Sequence, residues 1–240
     1  MAELELAKHG KNVVNMAKSK EHHWTHKARE IALEVAIIVF AVSISIWFHS
    51  MSEHRHEQKQ VKSFLLGLKT DLTRDIMELN EHVQHYRVFD ANYAYLAALD
   101  PNVTPDGSKF DEAYALTNNN AMFSPVNSRF EGFKSSGKLT NIEDEELLND
   151  ILTLYEQHHR AIGLSEGGWG GNHGKLRRYL DVALEQGDSP QQRYRALTTP
   201  NAKRMLRNMA SHPQLYERYK NTVMLSTKII QRIDAQYPPG

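Results

Sequence analysis

Residues 31–48 read IALEVAIIVFAVSISIWF, and the length and polarity of this stretch decide the fold. At about 1.5 Å per residue, a helix over it covers roughly 27 Å, close to the ~30 Å hydrocarbon core of a bilayer. No other segment of the chain is as long and as apolar. Trp24 precedes it and Trp47 lies at its far end, where interfacial aromatics are expected. The reading is an all-α chain, with a single N-terminal transmembrane helix followed by a helical-bundle extramembrane domain. The expected divisions are a basic tail over 1–30, the span over 31–48, a juxtamembrane stalk helix over 49–100 that is part of the bundle, and the remaining helices over 101–240.

Charge on either side of the span sets its expected orientation. The tail carries Lys8, Lys11, Lys18, Lys20, Lys27 and Arg29, whereas the first residues beyond the span carry Arg55, Lys59 and Lys62. The positive-inside bias places the N-terminus in the cytoplasm and the bulk of the chain outside it. A cleaved signal peptide is the competing reading, but the apolar run and the tail are both long for one. Within the span, Glu34 lies about a turn from the start. It either reaches back to headgroups, pairs with Lys27 or Arg29 or is protonated, or it contacts another span. Ser43 and Ser45 are small polar positions of the kind used in helix packing. Leu4, Leu6, Val13, Val14 and Met16 give the tail a weak amphipathic pattern, which fits a helix on the membrane surface as well as it fits a disordered tail.

Composition narrows the chemistry. The chain has 240 residues and a formal net charge of zero, so no strong field favours nucleic acid. There is no cysteine, which removes disulfides, zinc–thiolate sites and thiol nucleophiles. A mean hydropathy of −0.57 excludes a multi-span transporter.

Beyond the span, Val61, Phe64, Leu68, Leu72, Ile76, Leu79, Val83 and Tyr86 recur every three or four residues, the pattern of an amphipathic helix. Lys69, Asp71, Arg74, Asp75, Glu78 and Glu81 are expected on its charged face. Ser124-Pro125, Ser189-Pro190 and Thr199-Pro200 each pair a capping hydroxyl with a proline suited to the first helical position. Gly137 reads as a left-handed stop and Asn141 as the cap of the following helix. That helix has a buried stripe of Leu147, Ile151, Leu154, His158 and Ile162. Gly163 to Gly174 reads as a flexible loop, with Trp169 either tucked against the bundle or exposed at a partner contact. A final helix opens at Pro213 and runs antiparallel to the first.

The thirteen histidines raise the question of metal. Glu156 and His159 have the Glu-x-x-His spacing of di-iron bundles, and His82 with His85 could offer two ligands from one helix. These four are weak metal candidates, because a full site needs more carboxylates from facing helices, and solvated or half-buried histidines explain the pattern as well. Gly167-Gly168-Trp169-Gly170-Gly171 lacks the strand setting and the Lys-Ser/Thr ending of a phosphate loop. Ser135-Ser136-Gly137-Lys138 reads as the end of a helix rather than a Ser–Lys pair. No catalytic residue and no cofactor is expected.

Three pieces of sequence carry a family resemblance. They are Arg29-Glu30-Ile31 running into the span with Trp47 at its exit, FLLGLKTDLTRDI from Phe64 to Ile76, and FEGFKSSGKLTNIEDEELLNDILTLYE from Phe130 to Glu156. Over residues 29–160 the chain resembles a group of bacterial single-span membrane proteins known only as a domain of unknown function. The resemblance implies a bacterial inner-membrane protein with an exported helical domain, and no catalytic residues. The leading expectation is a non-enzymatic, membrane-anchored scaffold or accessory subunit whose contacts run through Glu34, Ser43, Ser45 and Trp169. Its expected partners are the lipid bilayer and either a second copy or another membrane protein, with no nucleic acid. The alternatives are a periplasmic ligand-binding or sensory module and a His/Glu metal-binding protein.

Overall fold

The structure, a computed structural model, describes the backbone of residues 2–103 and 107–238, and the side chains from residue 29 onward within those ranges. The tail histidines His22, His23 and His26, the tail's apolar and basic side chains, Trp24 and the Pro105-Asp106 turn lie outside the described residues. Every described element is a helix or a turn, with no strand among the described residues. The chain divides into two compact units, Met1–Lys59 and Gln60–Gly240.

The first unit is supplied by the long helix α1 (Ala2–Ala98). It contains the one stretch among the described residues that is long and apolar enough to cross a membrane. The side chains from Ile31 to Phe48 are exposed throughout, Phe40 by 68% and Trp47 by 59%. Such a continuous apolar surface is far larger than soluble proteins leave open.

In the second unit, three long helical stretches carry the core. The first is α1 from Gln60. The second is α4 (Glu145–Thr153), continued through a π-helical turn at Leu154–His158 into α5 (His159–Ala183). The third is α8 (Pro213–Gln236). Lys69 of α1 pairs with Asp234 near the end of α8, whereas Asp90 accepts from the Tyr216 hydroxyl near its start at 2.7 Å, so α1 and α8 run antiparallel. Shorter helices close the ends: α2 (Gly107–Leu116), α3 (Ser128–Ser135), α6 (Pro190–Thr198) and α7 (Pro200–Arg207).

Local chemistry explains most of the boundaries. Ser189 and Gln192 form a reciprocal capping box ahead of Pro190, and Thr199 accepts from the Ala202 N–H ahead of Pro200. Gly137 has φ 73° and stops the chain just after α3, a conformation that glycine alone adopts freely. Two expected caps move. Asp144, not Asn141, caps α4 through the Leu147 N–H, because residues 138–141 form a 3₁₀ turn of their own. Ser124-Pro125 opens no helix, since residues 121–127 are non-helical and α3 begins at Ser128.

The glycine-rich segment is also corrected. Residues 163–174 are helical, inside α5. A Cβ at Gly163, Gly167, Gly168, Gly170 or Gly171 would meet nothing, so these glycines form an open face. The opposite face buries Ile162, Glu166, Trp169, Leu176 and Leu180. Each interior glycine costs a helix roughly 0.5–1 kcal/mol relative to alanine, and burying one large aromatic stabilises by about 2 kcal/mol or more. Packing of the buried face therefore overrides the poor propensity of the outer one.

The core is in two parts. Near Gln60 lie Val61, Phe64, Leu68, Leu72, Phe130, Leu147, Ile151, Leu154, Ile229 and Ile233. Further along lie Leu79, Tyr86, Phe89, Tyr93, Ile162, Trp169, Leu180, Leu206 and Tyr219. Between them each long helix switches to polar residues: Asp75 on α1, the π turn and His159 on the second stretch, and Thr222 with Ser226 on α8.

Candidate functional site

Two carboxylates are buried here: Asp75 in the polar belt between the two cores, and Glu166 beyond it, between Ile162 and Trp169 of the second core. Asp75 is 1% exposed and Glu166 is 1% exposed. Both carboxylates turn out to hold backbone. Asp75 accepts from the Val126 N–H at 3.1 Å. Glu166 accepts from the Phe123 N–H with both oxygens at 3.1 Å and from the Tyr219 hydroxyl. Glu78 accepts from the Ser124 N–H at 3.1 Å. The Tyr86 hydroxyl donates to the Ala121 carbonyl at 2.9 Å, and the Tyr155 hydroxyl donates to the Val126 carbonyl at 3.2 Å. Residues 121–127 thus form a strap that lacks secondary structure of its own and borrows its partners from two of the three long helical stretches, α1 and the one that runs through the π turn into α5. A buried N–H without a partner is costly, so these side chains replace the missing helical bonds.

Two histidines flank the strap. The Phe123 ring meets His82 edge-on at 6.3 Å and His159 edge-on at 5.6 Å between centroids. Burial holds both imidazoles below their usual range, His159 down to about 4. The His82 Nε2 lies 3.5 Å from Glu78, which opposes that shift. Burial pushes the Asp75 carboxyl up to about 6 and raises Glu166, although each backbone bond pulls the other way. Burial also raises the Tyr219 hydroxyl, reinforced by its bond to Glu166.

The metal candidates do not converge. His82 is buried beside Phe123, on the core side of α1. His85 is exposed and meets only the edge of the His82 ring at 6.1 Å. Glu156 is exposed and paired with Lys134. His159 packs against Tyr155 at 4.9 Å and Phe123. Among the described residues no group of three or more His, Cys, Asp or Glu is gathered as metal ligands would be.

Trp169 is not a loop contact. It is 6% exposed, stacked between Phe89 and His173 at 5.3 Å each, with the Tyr86 ring edge-on. Its indole N–H donates to the Met209 carbonyl at 3.0 Å, so it ties α5 to the end of α7. The span residues divide by face. At about 100° per residue, Glu34 and Ser45 lie about 20° apart around the helix and Ser43 about 180° from Glu34. Glu34, Ser43 and Ser45 are all exposed, and the Ser45 hydroxyl donates to the Ala41 carbonyl at 2.9 Å.

Asp75, expected on the charged face of α1, is instead buried, and Glu166 was not singled out from the sequence at all. Asp75 follows Leu72 by three and precedes Leu79 by four, which is core spacing; a stripe scored on hydrophobicity alone passes over it. Glu166 follows Ile162 by four and precedes Trp169 by three. No family model, curated protein or solved structure matches the chain.

Proposed function

We propose that this chain is a non-enzymatic, membrane-anchored helical protein that acts as a scaffold or accessory subunit of a membrane complex. The observation that carries this reading is the fully exposed apolar surface of residues 31–48, which water does not tolerate and a bilayer does. The bundle supports it from the other side: its buried carboxylates are spent on holding the strap, a structural task. Lysines concentrated before the span favour a cytoplasmic N-terminus and an extracytoplasmic bundle. The resemblance to single-span proteins of unknown function favours a bacterial inner membrane. Glu34 and Ser45 on one face of the span are the contacts of choice for a second span.

The test is affinity purification of the tagged full chain from native membranes in mild detergent, with mass spectrometry of what remains bound. A stoichiometric membrane protein, or a defined homo-oligomer, is the expected outcome. Recovery of a lone monomer, or of the chain in the soluble fraction, would sink the reading.

A further inference from the structure

The polar belt reaches the surface between the π turn and α8. A pocket of about 230 Å³ lies there, lined by Gln157, His158, Ala161, Arg218, Asn221 and Thr222. Gln157 and His158 belong to the π turn, Leu154–His158. Such turns are rare because the wider backbone ring packs poorly, and they persist mostly where they re-aim side chains for a task. Here the turn brings an amide and an imidazole to the mouth opposite α8.

The guanidinium of Arg218 is placed before any ligand arrives. Its Nη1 donates to the Ala161 carbonyl at 2.7 Å and to the Ser165 hydroxyl, which ties the side chain across from α8 to α5. Its remaining N–H edge makes no such bond. The Thr222 hydroxyl donates to the Arg218 carbonyl at 2.7 Å and lies 3.4 Å from His158 Nδ1, which orients the imidazole. Burial holds the His158 imidazole below its usual range, so it is neutral at neutral pH. The lining then offers one fixed positive charge, a neutral ring and two carboxamides that both donate and accept.

We infer that this pocket binds a small monocarboxylate, gripped by the Arg218 guanidinium, with its other polar groups met by Gln157, Asn221 and His158. One cation matches one carboxylate; a phosphate dianion would leave a charge uncompensated. The volume suits a molecule of a few heavy atoms. The inference stands apart from the scaffold reading, so a failed partner capture leaves it intact.

The test is thermal unfolding of the full chain in mild detergent at constant ionic strength, with sodium glycolate, inorganic phosphate or chloride at about 50 mM. Glycolate is expected to raise the midpoint by about 3–5 °C over chloride, as mass action gives for a ligand well above its dissociation constant. Asn221→Ala and Gln157→Ala, both at exposed positions, are expected to fold as the parent does and to lose most of that rise. Three results overturn the inference: equal midpoints in glycolate and chloride, a glycolate rise that both variants retain, or a larger rise with phosphate.

Discussion

Asp75 and His159 occupy one belt and give the fold opposite pH dependences. Burial moves the Asp75 carboxyl from 3.8 up to about 6. Between those values the folded chain binds more protons than the unfolded one. The stability tied to this group is fully present below pH 3.8 and is lost as pH rises through about 6. Burial moves His159 the other way, from 6.5 down to about 4, with His158 adding to the effect. Here the unfolded chain binds more protons, so stability is present above pH 6.5 and is lost as pH falls through about 4. Each difference amounts to about 3 kcal/mol across its window, and the windows overlap, so the two nearly cancel in the parent. Asp75→Asn keeps an oxygen for the Val126 N–H and removes the acid. Its stability relative to the parent is expected to climb by about 3 kcal/mol from pH 4 to 7. His159→Gln is expected to decline by a similar amount over the same range. Glu166 and His82 shift in the same two directions, but they are common to parent and variant and drop out of the comparison. The assay is urea unfolding of the full chain in mild detergent, followed by far-ultraviolet circular dichroism at stepped pH. If Asp75→Asn tracks the parent within about 0.5 kcal/mol throughout, the carboxyl is not buried against the strap and the argument fails.

Further outcomes follow from the same geometry. Gly168→Ala is expected to stabilise by about 0.5–1 kcal/mol and Gly168→Pro to cost about 2 kcal/mol or more by urea unfolding; a tolerated proline would return the segment to a loop. Trp169→Ala should cost about 3–5 kcal/mol, since it empties a stacked site and strands the Met209 carbonyl; a cost under about 1 kcal/mol would place the ring outside the core. Ser45→Leu is expected to weaken assembly in the membrane while Ser43→Leu, on the opposite face, leaves it unchanged, as read by crosslinking in native membranes; equal effects would remove the shared face of Glu34 and Ser45 as a contact.

Helix boundaries were legible where a single residue type has one local use. Ser189 and Thr199 before prolines, and Gly137 after a helix, act over three or four residues and were read from neighbouring sequence, whereas the same pair at Ser124-Pro125 is overridden by the side chains that hold the strap. The glycine-rich segment was illegible for the opposite reason. Its helix is held by a tertiary face, Ile162, Trp169 and Leu176, whose partners Phe89 and Met209 are distant in sequence. Local propensity points to a loop, and only the three- and four-residue spacing of the buried side points to a helix. The strap was hidden in the same way: nothing in residues 121–127 announces that Asp75, Glu78 and Glu166 supply their hydrogen bonds.

The placement of these carboxylates also bears on why they are retained. The apolar stretches of α1 and α8 offer several packing registers of similar energy, since one turn of sliding exchanges one large apolar side chain for another. The buried polar set of Asp75, Glu166, Thr222 and Ser226 admits far fewer. Sliding α1 by a turn carries Asp75 off the Val126 N–H and leaves a buried carboxylate and a buried amide unpaired, at several kcal/mol. Glu166 makes the same demand on α5 and, through the Tyr219 hydroxyl, on α8. An apolar belt would stabilise the bundle more, and it would fix the register of the three helices less. The strap therefore works as the device that aligns the two cores, and the π turn beside it is the backbone adjustment that lets α4 and α5 serve both.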